Sequence, residues 1–245
     1  MFQVDLSSNK LKTLPDNLLS RFPRLRAVDL SHNQLETLSP NLFQNSTQLQ
    51  MIDLGHNRLS SLPERLLMGL TRLHLNLEHN RLSQLPGKIF DRSRLHGLQS
   101  INLQHNSFEE MPVEALQKQF FFLDYLNLGH NRIRNIGSDS NVLVTIKTLD
   151  LSFNPLTEDA IHNVLSEPKK VKDLNMAATG IAKLSVLETP FLRRLNLSAN
   201  RIDQLSDNMF QRPSLLEVLD LSRNRINSLQ SGLTGVWSKV KFQKS

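Results

Sequence analysis

Five histidines recur at repeat-like intervals in the first half of the chain, at His32, His56, His79, His105 and His130. Imidazole binds zinc and changes charge near neutral pH, so such a column could hold a metal ion or sense acidity. The chain contains no cysteine, and no carboxylate is placed to complete a tetrahedral site. We therefore expect a regular surface column and no metal centre.

A second column has Asp or Asn at every one of its positions, each flanked by two apolar residues. Its carboxylates at Asp5, Asp29 and Asp53 offer the oxygen ligands that calcium prefers, but nothing closes a coordination shell around them. We expect these side chains to form a polar stripe along the middle of a binding groove. The column comprises Asp5, Asp29, Asp53, Asn76, Asn102, Asn127, Asp150, Asn175, Asn196 and Asp220.

Sequence patterns typical of enzymes are missing. There is no H-E-x-x-H, no G-x-S-x-G and no glycine-rich phosphate loop, and the lack of cysteine removes thiolate chemistry. The net charge of +6 is spread along the chain, which argues against nucleic acid as a partner. No apolar run reaches the roughly 18 residues of a membrane helix. We expect no enzymatic activity and no cofactor.

Both columns belong to an internal repeat of the form L-x-x-L-x-L-x-x-N-x-L-x-x-L. Leu25, Val28, Leu30, Asn33 and Leu35 begin one clean copy. The asparagine returns every 21 to 26 residues, and only one of its ten positions departs from Asn. This column is Asn9, Asn33, Asn57, Asn80, Asn106, Asn131, Asn154, Thr179, Asn200 and Asn224.

The spacing of the repeat predicts its elements. Alternating leucines predict a short strand with one buried face, and successive strands should stack in parallel about 4.8 Å apart. The asparagine amide can donate to and accept from backbone groups that the following turn leaves unpaired, so stacked copies should form a ladder. Thr179 offers only a hydroxyl, and we expect a weaker rung there.

The second half of each repeat should form the convex side. Here L-P-x-x-x-[F/L] recurs, as from Leu14 to Leu19, and the last residue should fill the convex core. The segment from Glu158 to Glu167 has apolar residues at helical spacing, which predicts a helix. The sequence therefore predicts an α/β solenoid of about ten repeats, curved like a horseshoe with the parallel sheet on its concave face.

The repeats occupy residues 1–229, and 230–245 resemble the degraded or truncated start of another repeat. The sequence shows no polar capping element before the first repeat or after the last one, although solenoids normally have a cap at each end. We expect an internal fragment of a longer array.

The 24-residue repeat with L-P-x-x-x-F resembles the typical subclass of leucine-rich repeats, which is found mostly in extracellular and cell-surface proteins. Two stretches, LDLSFNPLTEDAIHNVLSEPKKVKDLNMAATGI (149–181) and LETPFLRRLNLSANRI (187–202), resemble the chaoptin family of insect photoreceptor adhesion proteins. That resemblance implies homophilic adhesion at the outer face of the plasma membrane, held there by an anchor that lies outside this chain.

We therefore predict a cell-surface adhesion module that binds a protein, and a second copy of the same chain is one candidate partner. A receptor ectodomain of Toll-like type and a cytosolic scaffold are the alternatives. The candidate concave binding face is Asp29, Asp53, Asn76, Asn102, Tyr125, Asn127, Asp150 and Phe153. Two N-glycosylation sequons, at Asn45 and Asn196, are candidate modification sites.

Overall fold

A computed structural model describes residues 1–70, 72–90, 97–117, 119, 121–137, 143, 145–166, 170–184, 186–205, 209–210 and 213–228. The tail at 230–245, expected to begin another repeat, lies outside these residues. The elements in chain order are β1 (Gln3–Asp5), β2 (Ala27–Asp29), β3 (Met51–Asp53), β4 (Leu73–Asn76), β5 (Leu98–Asn102), α1 (Val113–Leu116), β6 (Tyr125–Asn127), β7 (Thr148–Asp150), α2 (Glu158–Ser166), β8 (Asp173–Asn175), β9 (Arg194–Asn196) and β10 (Val218–Asp220).

All ten strands form one parallel sheet, in which each strand pairs with the next along the chain. Equivalent repeat positions lie side by side, for example Val28 beside Ile52 and Asp29 beside Asp53. This register stacks the inward residues into one continuous core and the outward residues into columns on the concave face. The predicted solenoid is confirmed.

The convex core is filled by the last residue of the L-P-x-x-x-[F/L] pattern, as predicted. Leu19, Phe43, Leu67, Phe90 and Phe210 are each less than 8% exposed. Burying one such side chain contributes about 1.5–3 kcal/mol, and one position per repeat supplies it. Stacking therefore stabilises the array repeat by repeat.

The helix predicted from Glu158 is confirmed as α2, where Ile161, Val164 and Leu165 face the core. The single turn α1 was not predicted. It follows Pro112 and occupies the convex segment of its repeat, with Leu116 fully buried. Within the described residues, no helix has both the length and the hydropathy needed to cross a bilayer.

Candidate functional site

The asparagine column joins neighbouring repeats through its amide groups. The Nδ2 of Asn57 donates to the carbonyl oxygens of Leu54 and Gly55 in its own repeat, at 3.1 and 3.2 Å. It also donates to Leu30 in the preceding repeat at 3.0 Å, while its Oδ1 accepts the N–H of Leu35 at 3.0 Å. Similar bonds to both repeats are made by Asn33, Asn80, Asn106, Asn131, Asn154, Asn200 and Asn224. Asn9, in the first repeat, bonds Leu6 and Ser7.

Thr179 makes a different set of contacts at the eighth position of this column. Its hydroxyl donates to the Met176 carbonyl of its own repeat at 2.9 Å. Its N–H donates to the Oδ1 of Asn200 in the following repeat at 3.0 Å. Among the described residues, no side-chain hydrogen bond of Thr179 reaches the repeat of Asn154. The side-chain ladder is therefore interrupted between these two repeats.

The Asp and Asn side chains of the polar stripe close the turns that end the strands. At all ten positions Oδ1 accepts the backbone N–H of the residue two places later, at 2.8–3.2 Å. This Asx turn needs an oxygen on a short side chain, which both residue types supply. The column therefore has a structural role in every repeat.

Neighbouring members of the polar stripe are also bonded to one another. Nδ2 of Asn76 donates to both carboxylate oxygens of Asp53 at 3.1 Å, and Nδ2 of Asn175 donates to Asp150 at 2.8 Å. Asn127 is only 6% exposed. These bonds occupy polar atoms that a ligand would otherwise contact, so the middle of the groove is less available than the sequence suggests.

Three carboxylates remain adjacent at the N-terminal end, where Asp5 pairs in register with Asp29, and Asp29 with Asp53. Hydrogen bonds from the backbone N–H and the side chain of Ser7 lower the pKa of Asp5. Across the described part of the chain, no group of three His, Cys, Asp or Glu side chains is arranged to hold a metal ion. This end of the groove is therefore a row of three carboxylates.

The exposed side chains of the groove lie one residue before the buried residue of each strand. Met51, His74, Ser100 and Tyr125 line a depression of about 320 Å³. Met51 is 59% and Tyr125 36% exposed, and Nδ1 of His74 lies 2.7 Å from the Ser100 hydroxyl. Burial raises the pKa of Tyr125. Sequence reasoning found Tyr125 but missed Met51 and His74, although they share its position in the repeat.

The histidine column is a continuous stack of rings at the edge of the concave face. Centroids of successive rings from His32 to His130 are 4.0–4.2 Å apart, with planes tilted by 11–16°. Phe153 continues the stack at 4.0 Å from His130, and half of its surface is exposed. The sequence signal that joins it to the column is its place immediately before Asn154, the place each histidine has before its own ladder asparagine.

Backbone geometry fixes the side chains of this column in one position. Every member has a φ of 51–55°, the left-handed conformation, which is uncommon for residues other than glycine. Each N–H donates to a carbonyl of the next repeat, as from His79 to Gln104 at 2.9 Å. The backbone thus repeats at one spacing along the column, and successive rings stack face to face.

Protonation is disfavoured for three central histidines of the stack. Burial lowers the pKa of His56, His79 and His105, and neighbouring histidines of the column lower it further. Glu78 opposes this for all three, and Asp53 does so for His56. The net effect keeps these rings neutral to a lower pH than free imidazole.

The two sequons lie in different surroundings. Asn45 is exposed on a convex turn. Asn196 lies in β9, where its Oδ1 accepts the N–H of Ser198 at 2.9 Å and the strand is paired on both sides. Of the two side chains, that of Asn45 is the more exposed.

Comparison with known proteins relates this chain to one family of repeat proteins. A family model described as leucine rich repeat matches residues 3–59, 23–82 and 190–236, slightly more than half of the chain. Human lumican is 32% identical over 149 residues, which cover 61% of this chain and 41% of lumican. The chain spans only 13–41% of the length of the two human relatives that it matches first.

Solved structures show the same architecture. A leucine-rich-repeat protein of Leptospira interrogans superposes with a TM-score of 0.78 at 24% identity, over 99% of this chain and 60% of its own length. That likeness shows the fold alone. A chain of the Drosophila Toll–Spatzle complex superposes with a TM-score of 0.66 at 25% identity, over 93% of this chain and 32% of that one.

Proposed function

Because this chain belongs to the leucine-rich-repeat family, we propose that it is a binding module whose concave face and its edge take a protein partner. The observation that carries the proposal is the pair of exposed side chains Met51 and Tyr125, which line the depression in the groove. Aromatic residues and methionine are enriched at protein interfaces. The resemblance to a chain of the Toll–Spatzle complex supports a protein as the ligand.

The finer proposal is homophilic adhesion at the outer face of the plasma membrane. One set of charged side chains supports self-association. The acidic row Asp5, Asp29 and Asp53 lies at one end of the array, and exposed arginines such as Arg201 and Arg223 lie at the other. Two copies arranged antiparallel would bring opposite charges together, which favours specific encounter.

Bead aggregation tests this proposal directly. Beads coated with the chain should cluster in low salt and less so in high salt, because screening weakens exposed charge pairs. Replacing Met51 by Glu or Tyr125 by Ala should reduce clustering. Met68→Glu is the matched control, since Met68 is exposed to a similar extent, 47%, outside the groove.

Two results would contradict the proposal. Wild-type beads that do not cluster would exclude homophilic adhesion by this chain. Clustering that Met51→Glu and Met68→Glu reduce equally would mean that the concave face is not the interface. Each variant is compared with the wild type by thermal unfolding, so that loss of the fold is recognised separately.

A receptor ectodomain is the second candidate, favoured by the likeness to a chain of the Toll–Spatzle complex. Such a module would bind a soluble protein ligand and remain monomeric without it. Analytical ultracentrifugation separates the two functions, because the adhesion module should dimerise with increasing concentration. A sedimentation coefficient that stays constant would favour the receptor.

A further inference from the structure

The ring stack ends at Phe153 with an apolar ring face that the chain does not cover. Every ring from His56 to His130 has another ring on each side. Phe153 has His130 on one side, and the next member of the column on the other side is Ala178. The left-handed backbone conformation of Phe153 is unusual for a bulky residue, and its side chain is half exposed. The stack with His130 covers only one face of the ring.

The column itself continues beyond Phe153 without change of backbone. Ala178 and Ala199 have φ of 54° and 55°, as the ring-bearing positions do. Their N–H groups donate to Ser198 and Ser222 at 2.9 Å, in the pattern that holds each histidine. Two successive alanines thus leave a notch with room for two rings at the spacing of the stack, ended by the side chain of Arg223 at the next position.

The border of the notch is cationic. Arg223 ends it, and Arg201 and Arg225 each lie two residues after a column position. All three are exposed, and none forms an ion pair with another residue in the part of the chain that the structure describes. The carboxylates of the polar stripe on either side already accept hydrogen bonds, Asp150 from Ser152 and Asn175, and Asp220 from Ser222. An occupant of the notch should therefore be planar and carry negative charge beside the plane.

We propose that the notch over Ala178 and Ala199 receives an aromatic side chain from an acidic segment of the protein partner, stacked on the free face of Phe153. The inserted ring continues the stack, and acidic neighbours in the partner segment meet the bordering arginines. Stacked aromatic pairs are favourable beyond the area that they bury. This inference rests on the proposed function as a protein-binding module and names the part of the edge that contacts the partner.

The probe is the peptide acetyl-Asp-Glu-Trp-Glu-Asp-amide, compared with the same peptide carrying Leu in place of Trp. The protein is labelled with ¹³C in its alanine methyl groups, because an indole ring over the notch shifts the nearby methyl signals upfield. The Ala178 and Ala199 signals should shift and saturate with the Trp peptide. The Leu peptide should bind between about two- and tenfold more weakly, the range expected for one aromatic pair.

Three variants locate the contact. Phe153→Ala should lower the affinity of the Trp peptide by a similar factor, and Phe191→Ala should leave it unchanged. Phe191 is the matched control because it is 49% exposed but lies outside the column. Ala178→His combined with Ala199→His should fill both places of the notch with the residue that five other column positions carry, so that the Trp peptide binds no more tightly than the Leu peptide while the protein stays folded.

Equal binding of the two peptides, or equal affinity of Phe153→Ala and the wild type, would overturn the proposal. So would shifts confined to alanines away from the notch. These outcomes are independent of bead aggregation, which needs no peptide. Beads can therefore cluster while the notch stays empty, and the peptide can bind to a chain that does not self-associate.

Discussion

The ring of Phe153 lies against the ring of His130, with centroids 4.0 Å apart and planes 12° from parallel. A phenyl group thus takes the place of an imidazole with no change of geometry. The shape and flatness of the rings, rather than a charge or a lone pair, determine which side chains continue the stack. The stack is therefore most favourable when its histidines are neutral.

Acidification should destabilise the fold through this column. His56, His79 and His105 have a lowered pKa in the folded chain, whereas in the unfolded chain they titrate near the ordinary value of about 6.5. Below that value the unfolded chain binds more protons, so the free energy of unfolding falls as the pH decreases, and it is unaffected well above it. The melting temperature should be lower at pH 5 than at pH 7.5.

The variant His79→Asn isolates this effect, because asparagine tolerates positive φ but does not titrate. Its melting temperature should be lower than that of the wild type at pH 7.5, since two stacking contacts are lost. The difference between the two proteins should narrow toward pH 5. A constant difference across this range would mean that protonation of the stack does not contribute to the pH dependence.

Removing one side-chain amide of the asparagine ladder should lower the free energy of unfolding strongly. Asn131 is buried, donates to carbonyl groups of Leu103, Leu128 and Gly129, and accepts from Phe108. Asn131→Ala leaves these backbone groups unpaired, and we expect a loss of about 2–4 kcal/mol in unfolding free energy. Urea denaturation measures it. A loss below about 0.5 kcal/mol would show that water or a local shift replaces the amide.

Introducing a ladder amide at Thr179, the one position of the column that is not asparagine, should stabilise the chain. An asparagine in place of Thr179 can donate to Leu151 of the preceding repeat, as Asn154 does to Leu128. We expect Thr179→Asn to raise the free energy of unfolding by about 1 kcal/mol. Thr179→Ser, which keeps only the hydroxyl, is the control and should give no increase. Destabilisation by the asparagine would mean that the turn after Met176 cannot accommodate an amide.

The structural role of the polar stripe can be separated from its charge at Asp29. The Oδ1 of Asp29 accepts from both the N–H and the hydroxyl of Ser31, at 2.9 and 2.6 Å. Asp29→Asn keeps an acceptor oxygen and removes a negative charge beside Asp5 and Asp53, so stability should be unchanged or slightly higher. Asp29→Ala should cost about 1 kcal/mol. Thermal melts compare them, and equal losses for both variants would show that the charge itself is required.

Secretion from a eukaryotic host should place a glycan at Asn45. The side chain is exposed on a convex turn, whereas Asn196 is hydrogen-bonded within β9. Mass spectrometry of the glycopeptides, before and after enzymatic removal of N-glycans, gives the occupancy of each sequon. Asn45→Gln should remove most of the attached mass. A glycan found at Asn196 instead would contradict the expectation that the exposed sequon is the one modified.

The repeat pattern was sufficient to predict the fold, because each buried residue recurs at a fixed place. The strands, the convex core residues and the helix α2 all follow from that periodicity. The single turn α1 was missed because its four residues are too few to show helical spacing. The columns were also predictable, because residues at the same place in successive repeats lie side by side in a sheet that pairs in register.

The contacts within the columns were less accessible to sequence reasoning. The Asp and Asn side chains of the polar stripe were expected to be free to contact a partner. Their Asx bonds to the backbone were missed, because the sequence shows only that each position is Asp or Asn. The stack was seen as a list of histidines, and Phe153 was assigned separately, because grouping by residue type hides equivalence of position. Alignment by the ladder asparagine places Phe153 in the same column as His130.

The interruption of the ladder at Thr179 affects how the chain unfolds. In a linear array each repeat contacts only its neighbours, so cooperativity passes from one end to the other through every interface in turn. The interface between the repeats of Asn154 and Thr179 has backbone pairing, core packing and the bond from Asn175 to Asp150, but it lacks the side-chain bond of the asparagine ladder. We expect hydrogen exchange to resolve two blocks on either side of it, and a force applied to the ends of the array to separate them there first.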